Sequence, residues 1–278
     1  MNLSWYARLP QFPGKLFLGG ALLKLSPPTS AFVTQTMRPG FRLNLRLKDR
    51  IQRRMFIKGN HEPETEVAVR PLAKKSQVFF DIGANIGYVS ALAASENPQI
   101  QILAFEPMPN NRKEFAGNME LKQFSHYEIF PYCLSDQEGE VSFASFGESE
   151  SGWGQVVSEG EQRGQGETIK CQAKTLDSLW NEGVLGHQLP DLIKIDVEGH
   201  ELHVLQGAVA ITEAPGSRVF CVELNEPNLK QAGTSAQEIL VWFSDRGFMA
   251  HMLNRRGDLI PTTEFKEDYP YMNYFFIK

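Results

Sequence analysis

Asp196, Glu198, His200 and Glu201 fall within one short segment, Lys194-Ile-Asp-Val-Glu-Gly-His-Glu201. Side chains of these types take protons, and a carboxylate or imidazole beside a hydroxyl turns a poor nucleophile into a good one. Glu198 and Glu201 stand three apart and share a face if the segment is helical. Glu201 serves equally well as a structural cap. His200, between Gly199 and Glu201, reads either as a reserve base or as a solvated neighbour. Paired carboxylates also suit a divalent metal, but no His-rich cluster with ligand spacing accompanies them, which leaves a metal undecided.

A second group of residues has the chemistry to hold a nucleoside. Gly83 and Gly87 bracket a turn in Asp81-Ile-Gly-Ala-Asn-Ile-Gly87, where the missing side chains let the backbone turn tightly and approach a ligand. Glu106, in Phe105-Glu-Pro107, lies 19 residues beyond Gly87, where an acid can accept hydrogen bonds from both hydroxyls of a ribose. A dinucleotide turn needs glycine where this chain has Asn85. Asp81 beside the turn would repel phosphates, yet it would help hold the cationic amino-acid end of S-adenosylmethionine. The combination favours a methyl donor over a pyrophosphate.

The elements that must position these residues are legible as apolar runs. Residues 78–80 form a short run suited to a strand covered on both faces, as parallel sheets require, and residues 86–94 read as the helix that follows. Helices are expected over 111–122, 201–210 and 235–246, and extended pieces over 127–134, 191–196, 218–224, 248–253 and 273–277. Residues 141–146 and 169–173 read as additional strands around a polar, glycine-rich stretch, 147–166. Trp153 within it either closes over a ligand or anchors its own loop. Near the N-terminus, residues 41–48 alternate apolar and polar as a half-exposed strand does, and 55–57 reads as its hairpin partner.

Four stretches, Asp81 to Gly87, Phe105-Glu-Pro107, Leu134-Ser-Asp136 with Gly139, and Lys194 to Glu201, stand in the order and spacing of one family. From about Phe41 to the C-terminus the chain resembles the FkbM family of S-adenosylmethionine-dependent methyltransferases. That resemblance implies an α/β fold with a Rossmann-like, doubly wound sheet of seven strands, the last antiparallel. It places the donor among Glu62, Asp81, Gly83, Ala84, Asn85, Gly87, Glu106, Pro107, Leu134, Ser135, Asp136 and Asp196. Glu62, in Gly59-Asn-His-Glu62, matches a family position that approaches the donor from the N-terminal side, and His61 replaces the usual aromatic. Leu134-Ser-Asp136 matches the strand that meets adenine, with Asp136 either accepting from the exocyclic amine or closing an Asx turn. Asp196 either touches the donor's amino-acid portion or orients the acceptor.

The chain divides by this reading into a basic arm (1–40), a hairpin flank (41–70) and a methyltransferase domain (71–278). The expected activity is O-methylation of a hydroxyl on a sugar, glycolipid or secondary metabolite. A nucleic-acid methyltransferase and a noncatalytic cofactor-binding scaffold are the alternatives. The first 60 residues carry 11 Lys or Arg against the single acid Asp49, while the remainder carries 17 basic and 32 acidic residues. An acidic catalytic body repels phosphate backbones, which argues against nucleic acid. The basic arm folds against that body, contacts a second subunit or attaches to an anionic membrane surface. Its apolar run, Leu16-Phe-Leu-Gly-Gly-Ala-Leu-Leu23, is too short to span a bilayer, and Pro10 and Pro13 argue against a signal peptide. Cys133, Cys171 and Cys221, odd in number and without metal-like spacing, read as reduced apolar filler in a cytoplasmic protein.

Overall fold

The computed structural model describes residues 4–26, 30–145, 154–157, 168–269 and 272–278. Helices α1 (Ser4–Arg8) and α2 (Lys15–Leu25) precede a hairpin of β1 (Phe32–Thr36) and β2 (Arg42–Arg46), followed by α3 (Arg50–Lys58) and α4 (Pro63–Ala73). The chain continues as β3 (Val78–Ile82), α5 (Tyr88–Glu96), β4 (Gln101–Phe105), α6 (Pro109–Glu120) and β5 (Tyr127–Phe130). Next come β6 (Cys133–Leu134), β7 (Gly139–Ser145), β8 (Gly154–Val157), β9 (Thr168–Lys174), α7 (Leu176–Asn181) and β10 (Leu192–Ile195). The remainder is α8 (Glu201–Gln206), α9 (Val209–Glu213), β11 (Val219–Glu223), α10 (Glu226–Gln231), α11 (Ala236–Ser244), β12 (Met249–Leu253), β13 (Leu259–Pro261) and β14 (Asn273–Ile277).

The main sheet has the order β13-β12-β14-β11-β10-β3-β4-β5. Strands β5, β4, β3, β10 and β11 run parallel, and β14 runs antiparallel to both β11 and β12. These are the seven strands expected, with the last one inverted. The eighth, β13, is a three-residue edge strand beside β12. After β3 the chain builds outward through β4 and β5, then crosses to β10 and builds the other way. Beside that switch point, open α/β sheets leave a crevice at the carboxyl ends of their strands.

Burial on both faces explains the unbroken apolar runs. Along β3, Phe79 packs into one core with Ile102, Leu192 and Phe275, while Phe80 packs into the other with Leu103, Ile193 and Phe220. A smaller sheet, β6-β9-β7-β8, stands apart from the main one.

Three elements differ from the sequence reading. Residues 55–57 are not a strand: Asp49 caps α3 by accepting from the Gln52 N–H (2.8 Å), Gly59 ends it at φ 79°, and the hairpin instead pairs β2 with β1 across Pro39-Gly40. The hairpin therefore begins inside the segment read as the arm. The extended piece 127–134 divides into β5 and β6 at Pro131, which has no N–H to continue the ladder. The helix expected over 201–210 divides at Gly207, where a Cβ would lie 2.0 Å from the Ser135 carbonyl oxygen. The stretch 147–153 with Trp153, and 158–166, lie outside the described residues.

Candidate active site

Four parallel strands end in a carboxylate at the same edge of the sheet: Asp81 on β3, Glu106 after β4, Asp196 after β10 and Glu223 on β11. All four line one cleft of about 450 Å³, together with Glu62, Gly83, Ala84, Asn85, Pro107, Leu134, Glu198 and His200. Of the other expected site residues, Gly87, Ser135, Asp136 and Glu201 are not among those lining it.

The donor half is organised by Glu106. Its Oε2 accepts from the Asn85 N–H (2.9 Å), and its Oε1 accepts from the Met108 N–H (2.8 Å) and Asn111 Nδ2 (3.3 Å). Burial raises this carboxyl above its ordinary range, and those three donors oppose the rise. Because each carboxylate oxygen has two acceptor sites, Oε2 retains capacity for a ribose hydroxyl. The Asn85 N–H, committed to Glu106, is not free to cradle a pyrophosphate. Arg112 Nη1 fixes the same corner by donating to the carbonyls of Glu106 (2.9 Å) and Pro107 (2.6 Å). At Gly83, φ is 77° and a Cβ would lie 1.9 Å from the Asp196 carbonyl oxygen, so only glycine lets the turn meet the loop after β10.

Asp81 is 1% exposed, and its Oδ2 accepts from Ser90 Oγ (2.5 Å). Its Oδ1 has no hydrogen-bond partner among the described residues and lies 4.0 Å from Lys194 Nζ. An orphaned carboxylate oxygen in the cleft wall, a spare acceptor on Glu106 and a backbone turn without side chains together fit the ammonium, ribose and linking atoms of S-adenosylmethionine.

Lys194, a lysine inside an apolar strand whose role the sequence does not disclose, is the buried cation of the acid group. Its Nζ donates to Asp196 Oδ2 (2.9 Å). Burial disfavours the ammonium, but Asp196 and Asp81 outweigh that and raise it. Burial likewise pushes Asp196 up, and Lys194 more than offsets it, holding the carboxyl below its usual range. Glu223, missed in the sequence reading, hydrogen-bonds to Asp196, and burial and then the Asp196 charge raise its own carboxyl well above the ordinary value. The signal was present: Val219-Phe-Cys-Val-Glu223 is an apolar run ending in an acid, like the other three.

Glu198 has the left-handed φ of 54°, and its Oε2 accepts from Asn228 Nδ2 (2.7 Å). Burial, then the charges of Asp196 and Glu201, push its carboxyl up to about 8. Glu62 (φ 40°) and Asn85 (φ 48°) line the cleft in the same strained backbone region, at a cost of about 1–3 kcal/mol each. His61 pairs with Glu62 (3.2 Å) and packs edge-on against Tyr88, so it fills the place of the family's aromatic.

Two candidate bases change role. Glu201 is 1% exposed, and its Oε1 accepts from the N–H groups of Val197 (3.0 Å) and Gly199 (3.1 Å), which makes it the clamp of the acid loop. His200 hydrogen-bonds to Ser135 Oγ through Nε2 (2.9 Å) and stacks on His203 at 4.2 Å. Burial and then His203 push its imidazole down to about 4, too weakly basic to take a hydroxyl proton. Cys133, Cys171 and Cys221 are free and buried, as the sequence reading expects, and the Sγ atoms of Cys133 and Cys171 meet at 2.7 Å between β6 and β9. Among the described residues no group of three or more His, Cys, Asp or Glu is arranged to hold a metal.

The clamp has a testable signature. Burial pushes Glu201 up to about 7 from an ordinary 4.5, and does the same to Glu66 on α4, whose carboxylate accepts from the Tyr88 hydroxyl, so the folded chain holds protons that the unfolded chain releases. Their contribution is complete below the unfolded value and is lost as pH rises through about 7. Glu201→Gln keeps an acceptor for both N–H groups, and its melting temperature is expected to fall less than the parent's between pH 5 and pH 8, by roughly the one-group linkage slope. Glu201→Ala strands both N–H groups and is expected to cost about 2–4 kcal/mol in urea unfolding.

Comparison with known proteins places this cleft in a family. The family model described as the methyltransferase FkbM domain matches residues 81–249, more than half of the chain. The hexuronic acid methyltransferase AglP of Haloferax volcanii is 31% identical over 137 residues, which are 49% of this chain and 51% of that protein. The AMB antimetabolite synthetase AmbE of Pseudomonas aeruginosa is 31% identical over 162 residues, 47% of this chain and 8% of that protein. The chain thus spans about half the length of one relative and under a tenth of the other. Among solved structures, an O-methyltransferase from Bacillus cereus in complex with SAH superposes with a TM-score of 0.46 at 10% identity, covering 97% of this chain and 91% of that one. With the glycine turn, Glu106 and the Lys194–Glu201 segment gathered at one sheet edge and the family match running through all three, the chain belongs to the FkbM family of S-adenosylmethionine-dependent methyltransferases.

Proposed function

We propose that the protein transfers a methyl group to a hydroxyl of a small molecule, with a sugar, glycolipid or secondary metabolite as acceptor. The observation that carries this reading is the placement of Asp196, Glu198 and Glu223 in the same cleft as the glycine turn and Glu106. Bound S-adenosylmethionine supplies an electrophilic methyl group on its sulfonium. The protein's part is to position the acceptor oxygen and remove its proton. Lys194 keeps Asp196 ionised, which suits it to orient a cation or a hydroxyl. Glu198 is raised toward neutral pH and can take a proton from a hydroxyl and release it again. The acidic balance of the body, 32 acids against 17 cations beyond residue 60, would repel a phosphate backbone, which disfavours nucleic acid. The likeness to a hexuronic acid methyltransferase supports the sugar end of the range.

The test is transfer from labelled donor to a panel of uronic acids, neutral glycosides, glycolipids and hydroxylated secondary metabolites. Label is expected on one acceptor class, with the new methyl on oxygen by NMR. Methylation of nitrogen or carbon instead, or donor binding without transfer across the panel, would overturn the reading.

A further inference from the structure

The inner side of α2 is packed unusually close. Gly19 lies against α3, where a Cβ would come within 2.5 Å of Ile57 Cγ2. Lys15, the cation that opens the helix, is turned inward: it is 2% exposed and its Nζ donates to the carbonyls of Ala7 (3.2 Å) and Leu9 (2.7 Å). Turning that charge inward leaves an apolar outer face. Phe17 is 78% exposed, Leu25 84% and Trp5 on α1 51%, with Phe12, Leu16 and Leu18 exposed beside them. Six of the thirteen large apolar side chains exposed among the described residues therefore fall in the first 25 positions. A folded chain rarely leaves so many together without something to cover them.

The charges around this face identify the cover. The 60 residues that contain it carry eleven cations and one acid. Arg46 is paired with Glu114 (2.7 Å), but Arg8 and Lys24, exposed beside the apolar face, form no ion pair among the described residues. The charges of Arg8 and Lys24 are thus not neutralised by folding onto the acidic body. An isologous contact with a second copy of the chain would bring the same positive face against it, like charge on like. Trp, Phe and Leu side chains flanked by Lys and Arg match a different surface, the headgroup region of an anionic bilayer.

We propose that α1 and α2 form a docking surface for anionic membranes, with Trp5, Phe17 and Leu25 entering the interface and Arg8 and Lys24 facing the headgroups. The contact is peripheral. Helix α2 has eleven residues where a span needs about 20, and no helix among the described residues is long and apolar enough to cross a membrane. Helix α3 bears the arm and also lends Ile51, Arg54, Met55 and Lys58 to the cleft wall, so the docking surface and the cleft share one element, which fits a glycolipid acceptor. That acceptor assignment rests on the activity proposed above. Vesicle binding does not, so the two fail separately.

The experiment is co-sedimentation of the full chain with phosphatidylcholine vesicles, with or without about 30% phosphatidylglycerol. Binding is expected to be about tenfold stronger on the anionic vesicles and to weaken as salt is raised. The double variant F17S/L25S is expected to lose about tenfold or more of that affinity while binding S-adenosylhomocysteine as the parent does. V241S, which removes an exposed apolar side chain on α11, is the control and is expected to bind vesicles unchanged. Brominated lipid should quench parent fluorescence more than that of W5F. Equal binding to neutral and anionic vesicles, no binding to either, or equal losses in F17S/L25S and V241S would overturn the proposal. A parent dimer that F17S/L25S converts to monomer, without vesicle binding, would assign the face to self-association instead.

Discussion

Glu198→Gln is expected to slow single-turnover methyl transfer by about 100-fold or more while leaving donor affinity within about threefold of the parent. The substitution preserves shape, and the new amide oxygen can still accept from Asn228 Nδ2, which now holds Glu198 at 2.7 Å. What disappears is a group able to take the hydroxyl proton. The pH profile carries a second signature. A base works in its ionised form, and with the carboxyl pushed up to about 8, roughly a tenth of it is ionised at pH 7. The parent rate is therefore expected to rise about tenfold per pH unit below that value and to level off above it, a limb that Glu198→Gln lacks. Asp196→Asn should share the loss of transfer. Unchanged single-turnover rates in both variants, on a verified acceptor, would remove the acid loop from the acceptor side.

Glu106→Ala is expected to weaken S-adenosylmethionine binding by about 10- to 150-fold in calorimetry, the equivalent of about 1.5–3 kcal/mol. Two losses add together there. The ribose hydroxyls lose a charged acceptor, and the N–H groups of Asn85 and Met108 lose the oxygens that now hold them at 2.9 and 2.8 Å. Donor affinity equal to the parent's would show that the ribose lies elsewhere.

Much of the fold was legible because parallel strands buried on both faces leave an unambiguous apolar trace. Val78-Phe-Phe, Ile102-Leu-Ala-Phe and Leu192-Ile each led to a strand, and the acid at the end of each run led to the cleft. Met55-Phe-Ile57 misled because three adjacent apolar residues fit a strand or a helix equally well. Asp49 and Gly59, a cap at each end, decided for the helix. Pro131 and Gly207 each divide an element that periodicity alone would continue. The role of Lys194 needed three dimensions: a lysine inside an apolar strand has meaning only once Asp81 from the neighbouring strand stands 4.0 Å away. For Glu201 the sequence left a base and a cap equally open, and for His200 a base and a solvated neighbour, because proximity to Asp196 does not say which carboxylate is spent on backbone N–H groups or which imidazole is buried against Ser135 and His203.

The contact between Gly83 and the Asp196 carbonyl also divides the molecule for an engineer. Donor turn and acid loop meet there as bare backbone, so neither can be re-cut without moving the other, and a relative with alanine at this position must have rebuilt its acid loop. Variation in acceptor preference has to come from the interchangeable parts of the rim. Arg54 on α3, Tyr132 before β6, Phe143 on β7 and Met272 before β14 reach the cleft from four separate elements, and a library that randomises those four while holding 83 and 196–199 would explore acceptors without disturbing the joint.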